Sequence, residues 1–259
     1  MRTAGVQFLG FRSLQAVEGF GKISRFGLRV VAALFSHPFR LRRLLGDIFD
    51  VGVLSLPVVC LSGAVIGGTL SMLGYYILSR FGADEALGAL VGISIIRELG
   101  PVLTALLVTG RAGSAITAEI ATMLTTEQLD GLRMMSVDPI DYVISPKALA
   151  LVLVMPLLTG IFVVFSFAGA YAIAVGMREL DGGTFTSSLQ GAVGFSSDIV
   201  GCMSKALIFG VITGLVATFR GYTSVPTAAG VSASTTGTVV TASVAILVAD
   251  FFQNSLWGI

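Results

Sequence analysis

The stretch SIIRELGPV, Ser94 to Val102, sets an arginine beside a glutamate in an apolar run that carries no other charge from Ala86 to Gly110. Whether that run crosses a bilayer is decided by what surrounds it. The chain of 259 residues is 54% hydrophobic and only 12% charged, with a mean hydropathy of +0.92. Those values exclude a soluble domain of this length and identify an integral membrane protein. The formal net charge of +1 says nothing about partners, because in a membrane protein the placement of charges matters more than their sum. Cys60 and Cys202 both fall in apolar segments, where packing is their expected role rather than a disulfide.

Outward from Arg97-Glu98, charge-free runs mark further spans. Val51 to Ser79 and Ala148 to Met177 each exceed the ~20 residues that cross a ~30 Å hydrocarbon layer. Ile199 to Phe219 carries Lys205, and Val239 to Trp257 carries Asp250. With Ala86 to Gly110 these make five expected spans in an all-α membrane bundle. Eight basic residues, Arg2, Arg12, Lys22, Arg25, Arg29, Arg40, Arg42 and Arg43, precede the first, which predicts a cytoplasmic N-terminus. Alternation then puts Arg111, Arg133, Lys147 and Arg220 inside and leaves Arg80 and Arg178 outside, with an outside C-terminus. Trp257, Tyr75 and Tyr76 suit an outer aromatic belt.

The N-terminal region, residues 1–46, shows no signal-peptide pattern and is read as interfacial, ahead of a bundle over residues 47–259; together they form a single domain. Glu18, Lys22, Arg25 and Arg29 follow one helical face and Val17, Phe20, Leu28 and Val31 the other, the pattern of a helix lying in a membrane interface. Gly63 and Gly67, and Gly210 and Gly214, have the GxxxG spacing that lets helices approach closely, within one subunit or between two. Gly110 and Gly113 open a further small-residue stretch. Pro57, Pro101 and Pro156 lie inside spans and are expected to kink them.

Four charges remain within spans: Arg97, Glu98, Lys205 and Asp250. Each would cost roughly 2.5–3.5 kcal/mol at the centre of an isolated membrane helix, so they should face the bundle interior. They either pair only to set helix register or border a cavity for a substrate with a charged headgroup. Adjacent residues point about 100° apart on a helix, so Glu98 is expected to border the cavity and Arg97 to face another helix, with Lys205 and Asp250 as candidate partners. Asp250 stands nearer an interface if the boundary of span five shifts. After span two, Glu127, Gln128, Asp130 and Arg133 alternate with Leu129, Leu132, Met134 and Met135 and end at Asp138-Pro139. This predicts a short amphipathic helix, able to lie on the membrane or dock into a partner.

Arg97-Glu98-Leu99-Gly100-Pro101, the run GRAGSAITAEIATM, TTEQLDGLRMMSVDP, Ser145-Pro146 and GYTSVPTAAGVSASTTGTVV at Gly221 to Val240 closely resemble the MlaE permeases of Mla-type, MCE-associated ABC transporters. The resemblance runs along essentially the whole chain. It implies a homodimeric permease with an interfacial helix and five spans, in the inner membrane of a Gram-negative envelope. It implies that Glu127 to Met135 is the coupling helix, docked on a separate MlaF-like ATPase subunit that binds ATP and Mg. It also implies an MlaB-like STAS-domain protein, a periplasmic MlaD-like hexamer of MCE domains, and glycerophospholipid as substrate, moved between inner and outer membranes to maintain outer-membrane lipid asymmetry.

No G-x-x-x-x-G-K-[ST] phosphate loop occurs, so ATP-driven transport requires nucleotide on another polypeptide. His37 has no second metal ligand near it, and no nucleophile-and-base arrangement stands out; neither a metal site, a catalytic centre nor a nucleic-acid partner is expected. Two other classes use the same features. An ion-coupled secondary transporter could relay protons through Glu98, Asp250 and Lys205, and a structural anchor of an envelope complex would need none of them.

Overall fold

The computed structural model describes residues 18–19, 21–33 and 41–257. Five helical rods among them are long and apolar enough to cross a bilayer: Leu41–Phe81, Asp84–Thr125, Ile140–Gly176, Ser197–Tyr222 and Ala228–Ser255, here spans one to five. The described residues contain no strand. The rods outrun the charge-free segments. Span two has 42 residues, about 63 Å at 1.5 Å per residue, so it projects past a bilayer of about 45 Å. Span five begins 11 residues before the expected Val239, because hydroxyls in SASTTGT find acceptors: Thr238 donates to the Ser234 carbonyl (2.9 Å) and Ser234 bonds Ser224 (3.0 Å). Hydropathy counts such hydroxyls as polar, whereas Ser234 and Thr238 are satisfied within the helix and against its neighbour.

Span three lies at the centre, packed against spans one, two and four. Its seam with span one is made of backbone. A Cβ on Gly67 would overlap the Ser166 carbonyl, one on Gly169 the Ala64 carbonyl, and one on Gly63 would stand 2.8 Å from the Phe162 oxygen. Gly210 and Gly214 do the same for span four, with Val152 Cα and the Ala148 carbonyl each 3.0 Å from the missing Cβ. Both GxxxG pairs are therefore spent inside the subunit. Gly113 packs on Thr213, while Gly110 has nothing within 4 Å.

Spans two and four run parallel, tied by Thr109 to Thr213 (3.0 Å) and by the Thr117 hydroxyl to the Ala217 carbonyl (3.0 Å) and Thr238 (2.9 Å). A helix absent from the sequence reading, Gly182–Ala192, continues this pairing against the first half of span two. Gly88 lets its backbone approach Phe185, and Ser188 accepts the Ala89 N–H (3.2 Å). Asp181 caps it, accepting from the Thr184 N–H (2.8 Å) and hydroxyl (3.1 Å), bonds that hold the carboxyl below its usual range. Val193 and Gly194 are extended, and the chain then re-enters a helix through a π turn at Phe195–Ile199. The fourth crossing is thus a broken helix.

The prolines behave differently from one another. Pro57 and Pro101 fall where the helical winding changes, after a 3₁₀ turn (Val53–Ser55) and a π turn (Ile95–Leu99), and Pro101 offers no N–H to the Arg97 carbonyl one turn earlier. Pro156 sits inside Ser145–Gly176, which continues unbroken.

The N-terminal helix, residues 21–33, has three faces rather than two. Phe26 and Val30 are buried, with Phe26 packed edge-to-face on Phe219 and tilted against Tyr222 (centroids 5.5 and 5.8 Å), and the Ser145 hydroxyl donates to the Val30 carbonyl (2.9 Å). Leu28 and Val31 are exposed, as an interfacial helix requires. Lys22, paired with Glu18 (2.8 Å), lies on the third face with Arg25 and Arg29. Val17, Phe20 and His37 lie outside the described residues. The helix Leu41–Gly52 runs through the expected division at residue 46 and into span one.

Candidate functional site

Lys205 is the centre of the polar patch. It leaves span four with its side chain only 4% exposed, and its ammonium reaches the Arg97 carbonyl (2.7 Å), Glu98 Oε1 (3.3 Å), Asp250 Oδ1 (3.4 Å) and the Asn254 side-chain oxygen. One cation thereby joins spans two, four and five. The Arg97 carbonyl lacks its regular helical donor because the residue four positions on is Pro101, which carries no N–H.

Arg97 points elsewhere. Its Nε donates to Asp198 Oδ1 (2.9 Å), and Asp198 Oδ2 accepts the Gly194 N–H (2.7 Å) at the break before span four. The same carboxylate therefore balances a charge and satisfies the exposed backbone of the broken helix, which would be costly to leave unpaired in a membrane. Of the two candidate partners, Asp250 lies against Lys205 rather than Arg97, and Lys205 touches Arg97 only at its backbone carbonyl; the carboxylate beside the Arg97 guanidinium is Asp198. Asp198 stands at the very edge of the charge-free run used to define span four, so it was not counted as a charge within a span. Asn254 was missed because an amide carries no charge signal, although its i+4 relation to Asp250 was there to be seen.

The patch holds two cations, Arg97 and Lys205, against three carboxylates, Glu98, Asp198 and Asp250, leaving one net negative charge. Asp250 is 14% exposed and Glu98 40%, so Glu98 is the group turned toward the open side of the subunit. Gln253 is buried beside Asp250 with neither side-chain polar atom bonded.

At the other end of span two, Gln128–Met134 forms the expected short helix after Glu127, which adopts a left-handed conformation (φ 58°). Leu129 is fully buried and Leu132 partly so, anchoring it to the bundle; Glu127, Gln128 and Asp130 are exposed, and Met134 and Met135 are 86% and 67% exposed. Arg133 binds Asp130 (2.6 Å) and the Tyr222 hydroxyl (2.6 Å), fixing the helix to the end of span four. Beside it lies a groove of about 430 Å³ lined by Arg29, Arg133, Ser136, Asp138 and Tyr222. Two large methionines thus stand exposed at the end of an otherwise anchored helix.

Among the described residues no cluster of His, Cys, Asp or Glu could hold a metal ion. What the geometry offers is a buried charge network that joins the last turns of span five to the first halves of spans two and four, one acidic group open to a flank, and an exposed apolar pair at the far end of span two.

The family described as Permease MlaE matches residues 44–256. The chain is 41% identical over 255 residues to the intermembrane phospholipid transport system permease protein MlaE of Haemophilus influenzae, covering 97% of each. It is 34% identical to a probable ABC transporter permease protein of Rickettsia bellii, covering 96% of each, and 36% identical to one of Synechocystis, covering 83% of the chain and 81% of that protein. With a match across the spans, the polar patch and the exposed helix alike, the chain belongs to the MlaE permease family.

Proposed function

We propose that this chain is the membrane-spanning permease of an ABC transporter that moves glycerophospholipid between the inner and outer membranes of a Gram-negative envelope. The observation that carries this reading is the Lys205 network: a buried cation held by three spans, with Glu98 open at its edge and apolar helix faces around it. Such a wall accepts acyl chains and meets a headgroup with few placed charges. Both cations are already matched by carboxylates, so Arg97 and Lys205 chiefly hold the helices in register while Glu98 faces the substrate.

One subunit presents a single flank of that cavity, and a two-fold dimer would close it. The seam would not use Gly63 and Gly67, which are occupied by span three. The N-terminal side is assigned to the cytoplasm and the C-terminus to the periplasm, from the excess of Lys and Arg. Met134, at the end of the anchored Gln128–Met134 helix, and Met135, which follows it, meet an MlaF-like ATPase holding ATP and Mg. An MlaB-like STAS protein and an MlaD-like MCE hexamer complete the assembly.

The test is lipid transfer by the reconstituted complex. Labelled phospholipid should move between vesicles only with hydrolysable ATP, and Leu132→Asp should release the ATPase while the permease remains inserted. Transfer driven by a pH gradient without ATP would establish an ion-coupled transporter instead.

A further inference from the structure

Lys147 lies outside the polar patch, and its position in the sequence suggests only a loop charge that orients the protein. In the structure it is inside the helix of span three and buried. Its ammonium binds Asp47 Oδ1 of span one (3.1 Å) and Glu119 Oε2 of span two (2.8 Å). These partners are 100 and 28 residues away. Asp47 is as buried as the lysine, whereas Glu119 is nearly half exposed.

The location of this triad gives it mechanical meaning. Glu119 stands eight residues before Glu127, and Lys147 thirteen after Met134, so the bond between them is a strut across the base of the hairpin whose tip is the exposed Gln128–Met134 helix. The bond to Asp47 carries the strut on to span one. A second strut lies further along span two, where Arg111 donates to the Asp50 carbonyl (2.7 Å) and the Ser55 hydroxyl (3.0 Å). Ser145 ties the N-terminal helix to the same corner, and Arg43 stacks on Tyr142 at 4.3 Å.

Stability alone is a poor account of the triad. A buried ion pair gains little over apolar residues of the same volume, because two ions must be stripped of water. Asp47 Oδ2 is moreover buried with no hydrogen-bond partner. What the arrangement does supply is connection. A displacement at the hairpin tip cannot move span two or three separately while one ammonium holds both and span one as well.

We infer that Lys147 is a positioning residue that transmits movement of the Gln128–Met134 helix to spans one, two and three together. The inference rests on the ATP-coupled reading above. Its signature is the amount of lipid moved per ATP hydrolysed, a ratio that simple loss of folded protein leaves unchanged.

The experiment uses the whole complex in proteoliposomes, with labelled phospholipid transfer and phosphate release measured on one preparation. Lys147→Met should lower lipid per ATP by roughly tenfold, in the upper part of the range for residues that couple distant sites, with hydrolysis itself largely retained. Lys147→Arg should keep most of the ratio. Glu119→Gln, at a half-exposed position that does not threaten folding, should lower the ratio less, by roughly threefold. An unchanged ratio in both Lys147→Met and Glu119→Gln overturns the inference. So does a parallel fall of hydrolysis and transfer in Lys147→Met with Glu119→Gln silent, which marks a structural lysine. Failure of the ATP-coupled reading looks different, since the unmodified complex would then transfer no lipid with ATP.

Discussion

Replacing Lys205 with methionine keeps the side chain's length and removes the charge that three spans share. In the intact protein its ammonium lies within 3.4 Å of Glu98 and Asp250, accepts no competition from water at 4% exposure, and also serves the Arg97 carbonyl. Without it, two carboxylates face each other across spans two and five. Removing one partner of a buried pair costs about 3–5 kcal/mol, because the remaining charge is left uncompensated. Glu98 is 40% exposed on the open flank and has room to move away from Asp250, and the Asn254 amide still lies 3.4 Å from Asp250 Oδ2, so the lower end of that range applies. About 3 kcal/mol corresponds to a fall in Tm of roughly 6–12 °C at 2–4 °C per kcal/mol for a chain of this size. The second variant makes the reasoning testable. Asp250→Asn added to Lys205→Met removes the stranded charge and should restore about 1–3 kcal/mol, the coupling expected of groups in contact. Thermal unfolding of the four members of this cycle in one detergent or nanodisc gives the answer. A Lys205→Met protein as stable as the original, or one that Asp250→Asn destabilises further, would refute the assignment of Lys205 as the shared counter-ion.

Gly67→Ala should cost about 3 kcal/mol, the upper end for overpacking, since a backbone carbonyl cannot rotate away, while Gly110→Ala should stay within about 0.5 kcal/mol; unfolding midpoints of the two variants compared side by side decide this. Asp198→Asn keeps the shape of the side chain but loses the charge opposite Arg97, and should cost about 1–3 kcal/mol. Its local effect is the more telling: amide exchange should quicken at Gly194 and through Gly182–Ala192, and stay unchanged in Gln128–Met134.

Much of this protein is written in local sequence. A membrane span needs only a long enough apolar window, so five crossings and the exceptional character of Arg97, Glu98, Lys205 and Asp250 can be read without a structure. The alternation of polar and apolar residues from Glu127 to Met135 likewise announces an amphipathic helix, because the 3.6-residue period is local. Partners are another matter. Asp198 meets Arg97 across 101 residues and Lys147 meets Asp47 across 100, and no window of sequence contains both ends of either contact. The break at Val193-Gly194 is invisible to hydropathy, since the segment around it is neither apolar enough for a span nor polar enough for a plain loop. GxxxG says that a helix can be approached closely but not by which neighbour, and here packing gives both pairs to span three. Composition determines that charges in this membrane protein must be paired; only the tertiary structure brings the pairs together, because a buried charge is satisfied by whatever the fold places within about 3 Å of it.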